Sequence, residues 1–182
     1  MFICEQSINL RRKIGFVRMT LFSLLLTFLS FCVLYEGFLL LSDEPLTDRN
    51  ALIFFISLIA IYPLHKLLHT LPLLRHYKYL NISFNNKKSL FNFMNVRVKR
   101  PVLIFEYILA LITPFLILTV AVILLIIPFP MFAHYFIIIA SINLGISLID
   151  FIYIAHIIKC PYATHIDERK HGLEILMKQK FN

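Results

Sequence analysis

Residues 51–74 read ALIFFISLIAIYPLHKLLHTLPLL. The stretch holds no acidic residue, and its 24 residues exceed the roughly 20 that an α-helix needs to cross a hydrocarbon layer. His65, Lys66 and His69 lie within it, so it is not uniformly apolar and these residues need a reason to be there. Three more runs of the same kind extend from Met19 to Leu41, Val102 to Pro128 and Met131 to Ile158. A hydrophobic content of 59%, 15% charged residues, four glycines and a mean hydropathy of +0.80 fit the same class. The chain is therefore expected to be an all-α integral membrane protein, a single domain of four transmembrane helices, with the lipid bilayer as its main partner. Apolar residues in continuous blocks argue against a transmembrane β-barrel, whose strands alternate.

Eighteen Lys and Arg against ten Asp and Glu give a net charge of +8, but the basic residues flank the apolar runs. They are better explained as topology determinants than as a nucleic-acid surface, and no nucleic-acid partner is expected. Arg11, Arg12, Lys13 and Arg18 precede the first run. The loop from Ser42 to Asn50 has Arg49 alone, beside Asp43, Glu44 and Asp48, whereas residues 75–101 carry Arg75, Lys78, Lys87, Lys88, Arg97, Lys99 and Arg100. The tail, residues 159–182, adds Lys159, Arg169, Lys170, Lys178 and Lys180. Both termini and the loop 75–101 are thus expected in the cytoplasm. The first run is too long for a signal-peptide core and no small-residue cleavage site follows it, so it is expected to remain as an anchor. Cys4, Cys32 and Cys160 are scattered, which supports neither a disulfide framework nor a cysteine metal site.

The cytoplasmic loop has a two-residue rhythm. Leu80, Ile82 and Phe84 alternate with polar residues, and Phe91, Phe93, Val96 and Val98 continue the pattern beyond Asn85 to Ser89. That predicts a small β-hairpin between the second and third helices. Tyr162 to Ile166 and Leu173 to Met177 flank a polar segment in the same way; a second hairpin or a short amphipathic helix is expected there.

Ionisable residues inside apolar helices are costly, and they pair with something or line a functional cavity. His65 and His69 stand four apart, about 40° around one helix face, and can converge on one ion. Asp150 interrupts the fourth run. At about 1.5 Å per residue it falls within one turn of the depth of His69, so a His65, His69, Asp150 zinc site is feasible. A structural polar network is the other reading, with Lys66 paired to Asp150 and the imidazoles bonded to carbonyls or to cavity water. Glu106, near an inner helix end, is expected to reach interfacial water, and Glu36 to do so at the outer end. His156 lies about 240° around the helix from Asp150, and His134 is expected near the outer surface, so neither is expected as a ligand. His76, His165 and His171 are expected in the cytoplasmic region.

His65-Lys66-Leu67-Leu68-His69 resembles the HExxH signature of zincins with lysine in place of glutamate. Its setting in the second of four membrane helices is similar to a bacterial family of small putative zincin peptidases, themselves similar to site-2-type intramembrane metalloproteases. The resemblance implies a bacterial cell-membrane location and a zinc ion completed by an aspartate from a later helix. The stretch Asn143 to Asp150 fits that position, with Pro161 to Gly172 as a short cytoplasmic end. In HExxH chemistry the glutamate takes a proton from metal-bound water and passes it to the leaving amine. A charged lysine cannot do this. An ammonium about 6 Å from a divalent ion raises the energy by roughly 5 kcal/mol at an effective dielectric of about 20.

Three functions are compatible with these residues. The chain can be a non-peptidase relative of the active enzymes that binds or regulates membrane-protein segments. It can be a working metallopeptidase with a non-standard base. It can also be a structural protein with an intramembrane Lys66–Asp150 pair.

Overall fold

The structure is a computed structural model that describes residues 2–84, 94–98, 100–169 and 172–178. Its order is β1 (Phe2–Ile8), α1 (Leu10–Lys13), α2 (Phe16–Leu41), α3 (Ala51–Leu68), β2 (Leu80–Phe84), β3 (Met94–Val98), β4 (Val102–Leu103), α4 (Ile104–Ile126), α5 (Ala133–Ile158), β5 (His165–Arg169) and β6 (Gly172–Lys178). Short 3₁₀ stretches run over Pro72–Tyr79 and Pro130–Phe132. Four helices are long and apolar enough to cross a membrane.

The second helix is shorter than the apolar run that contains it. It ends at Leu68 instead of continuing to residue 74. Pro72 has no N–H to give the Leu68 carbonyl, and its ring crowds that carbonyl. The chain turns instead, with the Thr70 amide and hydroxyl both bonded to the Leu67 carbonyl, at 2.9 and 2.7 Å. An all-α description also proves too narrow. A four-stranded antiparallel sheet in the order β1-β6-β5-β4 accompanies the helices, beside the two-stranded β2-β3 sheet. The expected loop hairpin is present, with Leu80 opposite Val98 and Phe84 opposite Met94. Phe91, Phe93 and the turn Asn85 to Ser89 lie outside the described residues. The tail forms a hairpin, with Ile166 opposite Ile175, and β1 adds to its far side, with Ile8 opposite Leu173.

The chain divides into two compact units, and it passes from one to the other at the start of α2 and inside α3, α4 and α5. Residues 17–65 and 114–149 make one of them. There α2 and α5 come close enough that a methyl group on Gly145 would meet the Thr27 hydroxyl and, at 2.9 Å, the Ser23 carbonyl. The Ser23 hydroxyl donates to the Gly145 carbonyl at 2.6 Å. Phe54 of α3 stacks on Tyr135 of α5 with ring centres 4.5 Å apart. The connection between α2 and α3 is tied down by the Thr47 amide bonding the Met131 carbonyl at 3.0 Å.

Residues 1–16, 66–113 and 150–182 make the other unit, which contains both sheets. Buried Leu73, Val98, Val102 and Ala110 cluster there, with Tyr79 packed against them. Arg100 lies over the Tyr79 ring, 4.0 Å from its centre. The Glu168 carboxylate joins three elements, accepting from the Tyr107 hydroxyl of α4 at 2.8 Å and the Val98 amide of β3 at 3.1 Å.

Candidate metal centre

His69 sits just beyond the last turn of α3. Its Nδ1 donates to the Ala110 carbonyl at 2.8 Å. That carbonyl would ordinarily accept from the amide of residue 114, one helical turn on, but Pro114 has no N–H. Proline within α4 therefore leaves an acceptor without its intrahelical donor, and the imidazole fills the role, as buried backbone in an apolar medium requires. Nδ1 donates to an atom that can only accept, so in the neutral ring the lone pair is on Nε2, which lies 3.6 Å from a carboxylate oxygen of Asp150.

His65, one turn earlier on α3, is 1% exposed. Its Nδ1 lies 3.0 Å from the side-chain oxygen of Asn143 on α5. His65, His69 and Asp150 each offer a ligand atom, and these atoms lie within 4.8 Å of one another. Two imidazole nitrogens and a carboxylate oxygen are a donor set that suits zinc and would leave a fourth position for another ligand. The three residues singled out in the sequence are thus brought together.

The Lys66–Asp150 ion pair of the structural reading is not formed. Asp150 faces His69, and among the described residues Lys66 has neither a hydrogen bond nor an ion pair.

The remaining histidines are engaged elsewhere. His76 bonds Glu106 at 2.8 Å, with Arg75 at 3.8 Å from the same carboxylate, so Glu106 has protein partners rather than only interfacial water. The His134 ring lies 3.5 Å from Asp48 and against Tyr135. His156 donates from Nδ1 to the Ile152 carbonyl at 2.8 Å and faces Lys13 through Nε2 at 3.1 Å. His165 contacts Thr164, and His171 lies outside the described residues. None of the three cysteines is in a disulfide, and the Cys160 thiol lies 3.2 Å from the Gln6 side-chain oxygen. In the tail hairpin the hydrogen bond to Glu174, then the charge of Asp167, hold the Arg169 guanidinium further above its already high pKa.

Two contributors to the site escaped the sequence reading. The Ala110 carbonyl is a backbone atom, signalled only by Pro114 four residues later. Asn143 stands seven residues before Asp150, two helical turns away and on nearly the same face, a spacing that could have marked it.

A family model described as a putative zincin peptidase matches residues 58–164. The match takes in His65, His69, Asn143 and Asp150 and stops before β5. No curated protein matches, and no solved structure does.

Proposed function

We propose, given that the chain belongs to the putative zincin peptidase family, that it keeps the metal site of a membrane peptidase without the peptidase's base. One observation carries this reading: the ligand trio is assembled, while the position between the two histidines that should hold glutamate holds Lys66. His65, His69 and Asp150 would hold the zinc ion, which when bound supplies a Lewis acid and lowers the pKa of a coordinated water. Lys66 offers no carboxylate to take that water's proton, and its charge opposes the ion's. Such a site binds better than it cleaves. We assign the protein a non-catalytic binding or regulatory role toward membrane-protein segments, of site-2-protease-like descent. It would reside in a bacterial cell membrane as a multi-pass protein with both termini cytoplasmic.

The test is zinc content of detergent-purified protein, measured beside the His65→Ala, His69→Ala double variant. Near-stoichiometric zinc in the wild type and none in the variant is the expected result. Absence of zinc from the wild type would remove the metal site. Metal-dependent cleavage of a membrane-helix substrate by the wild type would remove the non-catalytic role. Lys66→Glu completes the HExxH signature and is expected to gain such cleavage; if it retains zinc yet cleaves nothing, descent from an active peptidase loses its support.

A further inference from the structure

We infer that Asn143 is the positioning residue for His65: its side-chain oxygen holds the imidazole in the Nδ1–H form and so assigns Nε2 as the ligating atom. The orientation of the Asn143 amide follows from its surroundings. Its nitrogen lies 3.4 Å from the Phe115 carbonyl, which can only accept, so the NH₂ group faces α4. The oxygen then faces His65, and across the 3.0 Å contact it is Nδ1 of the ring that must donate. Both side chains are buried, Asn143 at 0% and His65 at 1% exposure, so bulk water does not compete for the bond.

The neighbouring hydroxyls do not compete for it either. Ser141 bonds back to the Ile137 carbonyl and Ser147 to the Asn143 carbonyl, each at 2.8 Å within α5. Imidazole side chains in water favour the Nε2–H form, which would place a proton on the atom a metal needs. Asn143 reverses that preference before any ion arrives. It acts on His65 as the Ala110 carbonyl acts on His69, and partners of this kind fix ring orientation and raise ligand basicity.

The step from tautomer to metal affinity rests on the zinc reading above, whereas the tautomer does not. The experiment therefore has two readouts. Protein labelled with ¹⁵N at histidine, in detergent and metal-free, gives the tautomer of His65 from its ring nitrogen shifts, assigned with His65→Ala, at a pH where the rings are neutral. Zinc affinity is then measured for the wild type, Asn143→Leu and Asn143→Asp. The expected result is Nδ1–H in the wild type, a shift toward Nε2–H in Asn143→Leu with zinc bound about tenfold to a hundredfold more weakly, and recovery of both in Asn143→Asp, which keeps the acceptor. An Nε2–H wild type overturns the inference, and that spectrum needs no variant that might fold poorly. A leucine variant with unchanged tautomer and zinc affinity within about twofold of wild type also overturns it. A wild type that is Nδ1–H, shifts with leucine and takes up no zinc upholds the positioning role and overturns the zinc reading.

Discussion

Gly145 shows how much a single hydrogen atom can govern. A side chain there would press on Thr27 and on the Ser23 carbonyl of α2. Gly145→Ala is expected to force the helices apart and cost about 1–3 kcal/mol, the usual range for overpacking. A lowered unfolding temperature in detergent would register it, and an unchanged one would show that α2 yields easily. Asp150→Asn keeps the size of the side chain and removes its charge; it is expected to weaken zinc retention strongly while leaving the protein folded. Elemental analysis beside a circular dichroism spectrum separates the two effects. At this scale much of the site was readable. His65, His69 and Asp150 stand out because ionisable groups are rare in apolar runs. Asn143 is quieter, since a neutral amide in a membrane helix has many structural uses, and the Ala110 carbonyl has no side-chain identity to read.

The elements were legible where their signals are local. The four apolar runs and the two-residue rhythm of Leu80, Ile82 and Phe84 both gave structure of the expected type. The end of α3 was misplaced because hydropathy stays high from Leu71 to Leu74, although Pro72 was the better guide to the boundary. Strand β1 went unread because its partner lies at the other end of the sequence, and FICEQSI has no clean alternation to announce a buried face. Tyr107 links α4 to β5 through Glu168, so Tyr107→Phe is expected to cost about 1–3 kcal/mol, as for a hydrogen bond to a charged acceptor. Amide exchange in β5 and β6 faster than in the wild type would report the loss. The Arg169 guanidinium, with its pKa raised, contributes its full pairing below its ordinary pKa and loses it only as pH rises through the still higher folded value. Exchange protection of β5 and β6 beside Arg169 is thus expected to stay level from about pH 6 to 9, well below the pH at which the guanidinium would lose its charge. Added salt should lower it, because the guanidinium is exposed to solvent.

For the molecule as a whole, the distribution of lysine and arginine predicts which side of the membrane holds the sheet. Cys4 is exposed on β1. In a variant with Cys4 as its single cysteine, a membrane-impermeant thiol reagent is expected to label inverted vesicles and not intact cells; the opposite pattern would reverse the topology. The four-stranded sheet was beyond sequence reasoning, since it joins residues 2–8 to 172–178 across all four helices. That pairing bears on how the protein is made. Strand β1 leaves the ribosome ahead of α2 to α5, and β6 follows more than 160 residues later. At about 5–20 residues per second, the first strand waits roughly ten to thirty seconds for its partner. During that interval its backbone donors and acceptors are open to chaperones, to water, or to a neighbouring nascent chain. Closure of the sheet is therefore a late event in biosynthesis, and it reports that the chain has been translated as far as β6.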